Sequence, residues 1–398
     1  MINGEKKPCI VVTCFDENQP GFLDFSYRIV ALAKEYQLTI ISQSAFTQSE
    51  LEPSVVNYKV VTSGKGKLGW MTYIAKCAKF IRQHKPDIVV LLHSAAAPIT
   101  LLIGVIPTCL YWNEHPSNLV RLPTKFSPFK KALGKLFHYL VFLGAKKANI
   151  VMPIGEDHLA DLKKHQIEDN RIKLIYMGVA NDFLLDGDQD VSDNNLLHNS
   201  VRLIYVGTVS KLRGRDVMLD AMSIVAKKNI QAHLTIVGAD AEQLDYCNQR
   251  IKVLDIKNNI TLHGRVVGSE VPNYLSQADI GICIWERTPW TEFNPPTKLF
   301  EYLVAGLPVL ASNIRTHTRY VQNWRNGLIF DYDANSLAAT IIDLVNNEQQ
   351  IQVLKNQAKL SGQQYLWCKI EPVFLDAVQN VFNHCAEANK PSQITVAN

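Results

Sequence analysis

Short β-branched runs alternate with longer amphipathic stretches along almost the whole chain, and this alternation predicts the architecture. The apolar runs at 9–15, 38–42, 56–60, 88–93, 108–112, 150–152 and 172–175 are short and rich in Val, Ile and Leu, as strands buried on both faces are. Between them, apolar residues recur at helical spacing over 22–36, 68–84, 129–147 and 156–165. Such alternation predicts a mostly parallel sheet covered by helices. From 180 to 200 the chain turns Asp-, Asn- and Gly-rich with only scattered apolar residues, the composition of a connecting loop. A second series follows, with strands at 202–206, 233–237, 260–263, 280–284 and 309–311 and helices at 215–227, 242–254, 270–277, 336–346 and 349–363. The expected fold class is α/β, with two doubly wound Rossmann-like domains at 1–180 and 181–364 and a helix in 365–398 that packs back on the first. Two such sheets facing one another leave a central cleft for a ligand.

Composition and charge narrow the function classes. A chain of 398 residues exceeds one compact core, and 47% hydrophobic with 20% charged residues is the make-up of an ordinary globular protein. A net charge of +4 falls short of the basic footprint of a nucleic-acid binder, so no nucleic-acid partner is expected, while phosphate-bearing small ligands fit. The eight cysteines are scattered without Cys-x-x-Cys pairs and read as reduced core residues, pointing to a reducing compartment. The apolar run near the N-terminus is too brief for a secretory signal, so a cytoplasmic location is expected. No Asp, Glu, Lys or Arg occurs between Ile88 and Trp112, a length that would span a bilayer, but His93, Pro98, Gly104 and Pro107 cut it into pieces. A strand, a short helix and a second strand explain it better.

Two loops can carry chemistry. The strand at 202–206 runs into Gly207-Thr-Val-Ser-Lys-Leu-Arg-Gly214, with cations at Lys211, Arg213 and Arg215 before the next helix. Glycine lets backbone N–H groups approach an anion, a helix N-terminus adds partial positive charge, and Arg supplies a planar donor fork. The same pattern also reads as a turn whose cations are merely solvated. Downstream, Asn294-Pro-Pro-Thr-Lys-Leu-Phe-Glu301 reads as a proline-stiffened loop opening a helix near Pro296, with a stop at Gly306 and a buried strand after it. Lys298 can neutralise phosphate, and the two oxygens of Glu301 can grip a pair of ribose hydroxyls. A glutamate that only complements the helix dipole is the alternative.

In this order, the two loops resemble those of the family 4 retaining glycosyltransferases with the GT-B fold. Similar family patterns recur in Ile-Thr-Leu-His-Gly-Arg265, in Val-Pro-Asn-Tyr-Leu-Ser-Gln-Ala-Asp279 and in Asn326-Gly-Leu-Ile-Phe330. The resemblance covers nearly the whole second domain. It implies a nucleotide-sugar substrate, a UDP- or GDP-sugar, bound by Gly207, Thr208, Lys211, Arg213, Asn294, Thr297, Lys298 and Glu301. Within that set Arg213 meets the donor diphosphate, Lys298 assists it and Glu301 binds the ribose. Two departures stand out. The family often has a basic residue directly after the loop glycine, where this chain has Thr208, with Lys211 as a substitute. The family's paired-glutamate pattern has its first glutamate where this chain has Phe293, with Glu292 one place off.

In the first domain the resemblance is looser. Tyr111-Trp-Asn-Glu-His-Pro116 follows a buried strand where the family commonly puts a polar residue beside the transferred sugar, which makes His115 and Glu114 the catalytic candidates. His93 and Gly21, the latter in the loop 16–21, are acceptor-side candidates; each also reads as structural. Asp331-Tyr-Asp333 looks like a metal signature of another fold but stands just before a helix, where Asp caps, and no obligatory metal is expected. The basic, aromatic and apolar segment 125–147 suits either a helix on anionic lipid or a buried connecting helix. The expected function is transfer of a sugar to a glycan or lipid-linked acceptor, with retention implied by the family, at the inner face of the membrane if the acceptor is lipid-linked. A nucleotide-sugar 2-epimerase and a non-catalytic nucleotide-sugar-binding subunit are the alternatives.

Overall fold

The computed structural model describes residues 6–14, 22–44, 57–64, 66–117, 128–185 and 200–388. The chain divides into two compact units, Met1–Met177 with Lys369–Asn398, and Gly178–Cys368.

Unit 1 is built on β1 (Lys7–Val12), β2 (Tyr36–Ser42), β3 (Asn57–Val60), β4 (Ile88–Leu91), β5 (Thr108–Trp112) and β6 (Ile150–Pro153). These form one parallel sheet in the order β3-β2-β1-β4-β5-β6. Every residue of β4 and β5 is buried, which is why these runs carry no alternation. The helices are α1 (Phe22–Glu35), α2 (Gly66–His84), α3 (Pro128–Lys147) and α4 (Glu156–Lys164). The charge-free stretch resolves into β4, a 3₁₀ helix over Ser94–Leu101 and β5. α3 lies against that 3₁₀ helix, where the Thr100 hydroxyl donates to the Gly144 carbonyl at 2.8 Å.

Unit 2 repeats the plan with β7 (Val201–Val206), α5 (Arg215–Lys227), β8 (Ala232–Ala239), α6 (Ala241–Leu254), β9 (Ile260–Gly264), α7 (Val271–Leu275) and β10 (Ile280–Cys283). It continues with α8 (Thr297–Val304), β11 (Val309–Ser312), α9 (Arg315–Thr318), β12 (Gly327–Phe330), α10 (Ala334–Asn346) and α11 (Ile351–Gly362). Its parallel sheet has the order β12-β11-β10-β7-β8-β9. In both sheets the first and fourth strands are neighbours and the chain winds outward from them in opposite directions. The carboxyl ends of β1 and β4, and of β7 and β10, therefore flank the points where an open α/β sheet leaves room for a ligand.

The last helix, α12 (Trp367–Ala388), lies in unit 1 apart from its first two residues. It docks through fully buried Phe374, through Phe382 edge-on to Tyr36 at 6.5 Å, and through the Tyr36–Gln379 hydrogen bond at 3.1 Å.

Three expectations change. The run 172–175 is no strand: it touches β6 through an isolated bridge at Ile172, with two further backbone bonds from Lys173 and Ile175. Its polar neighbours Asp169–Arg171 form a 3₁₀ turn instead of extending a ladder. Conversely, β12 and α9 were not expected, because four residues are too few to show a period. Most of the expected linker, 186–199, lies outside the described residues.

Unit 2 is pinned at the start of β10 by Asp279, which accepts from Arg202 Nε and Nη2 at 3.0 and 2.9 Å and from Lys355 Nζ at 2.7 Å. Burial alone would raise this carboxyl's pKa, but the Arg202 hydrogen bonds and the Lys355 charge outweigh it and hold it at about 2. A depressed acid stabilises the fold above its unfolded pKa of about 3.9 and loses that contribution as pH falls through the folded value. The contribution is about 2 kcal/mol. Wild type is therefore expected to exceed Asp279→Asn in stability at neutral pH, with the gap closing between about pH 4 and pH 2 in denaturant titrations.

Candidate functional site

The carboxyl end of β7 opens into the loop that carries the glycines and cations. Gly207 has φ 152°, the Tyr205 hydroxyl donates to the Thr208 carbonyl at 2.8 Å, and a single 3₁₀ turn over Lys211–Arg213 ends at Gly214, φ 71°, which caps α5. Thr208 and Lys211 are exposed, and the Lys211 carbonyl accepts from the Tyr332 hydroxyl at 2.9 Å. Gly238, at the end of β8 with φ 116°, lets the two loops touch: a Cβ there would stand 2.2 Å from the Gly207 carbonyl oxygen. Gly238→Ala is expected to lower stability by about 2–3 kcal/mol and to displace Gly207, since the strained φ and the clash act together. At Gly264, where the nearest atom to an added Cβ is 3.8 Å away, alanine is expected to change the melting temperature little.

The partner loop leaves β10, the strand beside β7. It runs Trp285 to Pro296 and feeds α8, whose first residue is Thr297. α8 is tied to β7 because the Tyr302 hydroxyl accepts the Val206 N–H at 2.8 Å, and Tyr302 lies over Gly281 of β10, where no side chain fits. Asn294 is buried and braces the loop, its side-chain amide donating to the Trp290 carbonyl at 2.9 Å. Lys298 and Glu301 sit one turn apart on α8 and pair at 2.6 Å, with Glu301 nearly buried and Lys298 about a third exposed. The cation neutralises the carboxylate.

Arg213 joins the two loops. Its guanidinium lies over the Trp285 ring at 4.2 Å and near Trp290 at 5.4 Å, and the two indoles stack at 5.1 Å. Guanidinium–indole stacking holds the planar donor fork in place beside the loop. Trp285 is itself fixed, because its backbone N–H donates to Ser312 Oγ and the Ser312 hydroxyl donates to the Trp285 backbone carbonyl, both at 3.0 Å. Behind Ser312 is buried His317. Its Nδ1 is 3.1 Å from the Ser312 carbonyl and its Nε2 is 3.6 Å from Cys283 Sγ. Burial pushes the imidazole down to about 3 and the thiol up, so this pair is neutral and braces the loop. The sequence pattern did not disclose the tryptophans: an aromatic just beyond a buried strand reads as core until the fold brings it against Arg213. Glu292 pairs with Arg287 at 3.1 Å and its carbonyl accepts from Arg315. Phe293 packs under Arg315 at 4.9 Å.

In unit 1, His93 follows β4 and caps the 3₁₀ helix, its Nδ1 accepting the Ala95 N–H at 2.8 Å. Its Nε2 lies 3.3 Å from Glu114, so two of the candidates beyond β4 and β5 are brought together. His115 is buried and turned to other partners, Ser117 Oγ at 2.7 Å and Asp161 Oδ2 at 3.1 Å. Burial would raise Asp161, but the His115 hydrogen bond and the flanking imidazoles of His165 and His138 hold it below the usual carboxylate range. Gly21 and the loop 16–21 lie outside the described residues. Asp333 caps α10 by accepting the Ser336 N–H at 2.8 Å.

Comparison with known proteins bears on this geometry. Residues 188–361 match the family model of Glycosyl transferases group 1. Spore coat protein SA of Bacillus subtilis is 23% identical over 162 residues, 39% of this chain and 42% of that protein, so the match spans less than half of that relative. Anabaena HepE, solved in complex with UDP-glucose, superposes with a TM-score of 0.71 at 14% identity, covering 94% of this chain and all of that one. The sucrose-phosphate synthase of Thermosynechococcus elongatus gives 0.74 at 14% identity over 96% of this chain. The two six-stranded parallel sheets with their helices are those of the GT-B fold.

Proposed function

We propose that this chain is a retaining glycosyltransferase of family 4 that moves a sugar from a nucleotide-sugar donor to a glycan or lipid-linked acceptor in polysaccharide or glycolipid synthesis. The observation that carries this reading is the convergence, at the carboxyl ends of neighbouring β7 and β10, of a glycine-edged loop bearing Arg213 and a helix bearing Lys298 and Glu301. HepE in complex with UDP-glucose supports a UDP-sugar as the donor. The match of residues 188–361 to Glycosyl transferases group 1 supports the reaction class.

Departure of a nucleoside diphosphate builds negative charge on its phosphates and oxocarbenium character on the sugar. Arg213, Lys298 and the N–H groups opening α8 meet that charge electrostatically, with no reorganisation when the bond breaks. Glu301 takes the ribose hydroxyls, which releases Lys298 toward the phosphates. In unit 1, Glu114 and His93 are assigned to the acceptor and transferred sugar, and His115 to positioning through Asp161. The location assigned is cytoplasmic, against the inner face of the membrane; no helix among the described residues is long and apolar enough to cross one.

Phe293 in place of the family's first glutamate favours one rival, a subunit that binds nucleotide-sugar without turning it over. Release of nucleoside diphosphate from a panel of nucleotide-sugars, with and without glycan and lipid-linked acceptors, separates the readings. Transfer to an acceptor supports the proposal, donor binding without turnover supports the binding subunit, and isomerisation of the donor sugar without acceptor indicates an epimerase.

A further inference from the structure

Among the described residues other than glycine that hold a positive φ, Trp324 is the one aromatic, at 57°. For a bulky side chain this conformation is strained, and such strain persists where the surroundings impose it, often at a ligand clamp. Here the turn before β12 imposes it: Asn323 forms an isolated bridge with Gly327, and the Trp324 backbone N–H donates to the Gly327 carbonyl at 3.0 Å. Glycine would meet the same turn without strain. The chain instead places an indole there and leaves it 42% exposed. Trp324 lines an open cavity of about 440 Å³ beside β12, the outermost strand of the unit 2 sheet. That volume lies within the range of small-ligand pockets.

The polar lining is Asn323, Thr340 and Asp343. Asn323 is fixed by accepting the Ile329 N–H at 2.7 Å, which leaves its amide protons as donors. The Thr340 hydroxyl donates to the Ser336 carbonyl at 2.9 Å and keeps its oxygen as an acceptor. Asp343 Oδ1 accepts from Asn347 Nδ2 at 3.1 Å, and its Oδ2 has no partner among the described residues. An indole face flanked by donors and acceptors matches a pyranose ring, whose C–H face is apolar and whose hydroxyls both donate and accept. No Lys, Arg or His lines the cavity, and neighbouring Arg325 is turned to Gln322 Oε1 at 2.7 Å. Asp343 therefore repels a phosphate or carboxylate ligand, while a cation would set its charge against the Asn323 amide protons. We propose that this cavity binds a neutral saccharide. It lies at the amino edge of the sheet, where the chain enters β12 and where α10 returns with Asp343 near its end. The loops after β7 and β10 leave at the carboxyl edge, so a saccharide in the cavity does not compete with a nucleotide-sugar. That the saccharide is a chain this protein extends is the one step that rests on the glycosyl-transfer reading.

The test is saturation-transfer NMR of the full chain with glucose, galactose, mannose and N-acetylglucosamine and with short oligosaccharides of each, with affinities from titration. Wild type is expected to bind at least one of them. Trp324→Gly is expected to weaken that binding roughly tenfold or more through loss of the stacking face. It is expected to do so without lowering the melting temperature, because glycine takes the left-handed backbone unstrained. A tryptophan that served only packing would behave in the opposite way. Asp343→Ala, at an exposed position, is expected to weaken binding roughly tenfold. Val253→Ser, 75% exposed on α6, is expected to bind saccharide as wild type does. Arg213→Ala and Glu301→Ala are also expected to keep saccharide binding, and Trp324→Gly to keep nucleotide-sugar binding, since the two sites lie at opposite edges of the sheet. No saccharide binding by wild type, unchanged binding in Trp324→Gly, a marked fall in its melting temperature, or loss of saccharide binding in Arg213→Ala or Glu301→Ala overturns the proposal. Saccharide binding without nucleotide-sugar binding in wild type would contradict the transfer reading and leave the cavity assignment standing.

Discussion

Arg28→Met is expected to destabilise unit 1 by about 3–5 kcal/mol, because removing one partner of a buried ion pair leaves the other charge uncompensated. Arg28 is fully buried on α1 and pairs with Asp24 one turn earlier, which in turn accepts from the Tyr111 hydroxyl at 2.6 Å. Its other Nη group donates to the Tyr176 carbonyl at 3.1 Å, and the guanidinium plane lies over Tyr111 at 4.0 Å and Phe374 at 5.5 Å. One side chain thus ties α1, β5, the end of the first chain segment and the returning α12. Methionine replaces the packing but strands the Asp24 carboxylate. The double variant Arg28→Met/Asp24→Leu is expected to recover most of the loss, since replacing both charges by apolar groups can be near neutral. Denaturant unfolding of the three proteins, read by a probe in unit 1, checks this. A double variant no better than the single would show that packing, and not the stranded charge, dominates.

Glu301→Ala is expected to weaken nucleotide-sugar binding roughly a hundredfold or more. Hydrogen bonds to a charged group contribute about 1.5–3 kcal/mol each, and the proposed role gives Glu301 two of them to the ribose. Because Glu301 is nearly buried and α8 is held by Tyr302, the carboxylate is preorganised and little ordering is left for binding to do. Glu301→Gln keeps one acceptor oxygen and is expected to fall between the two. A control, Glu286→Ala, at an exposed position near the start of the loop between β10 and α8, is expected to leave affinity unchanged. Calorimetric titration separates these outcomes, and equal affinities in wild type and Glu301→Ala would remove the ribose role.

The fold was readable because parallel strands buried on both faces leave an apolar run with no charge, as at β4, β5 and β10, between helices whose period differs from theirs. The pattern failed where it had too few residues, as in β12 and α9, and where a run touches the sheet without joining a ladder, as at Ile172. For the candidate site, Gly207, Arg213 and Glu301 announce themselves locally: a glycine ends a strand, cations precede a helix, and an acid stands one turn into another. What local pattern leaves out are relations across the sheet. That Trp285 and Trp290 hold Arg213, and that Ser312 and His317 hold Trp285, depends on β7, β10 and β11 lying side by side. Likewise the joint approach of His93 and Glu114 follows from the adjacency of β4 and β5.

The central claim is that the loops after β7 and β10 form one nucleotide-sugar site. Calorimetric titration of wild type, Arg213→Ala and Glu301→Ala with UDP-, GDP-, ADP- and dTDP-sugars tests it most directly. The account predicts that one nucleotide class binds wild type and that both variants lose most of that affinity. Binding that survives unchanged in both variants, or no binding of any nucleotide-sugar to wild type, would contradict it.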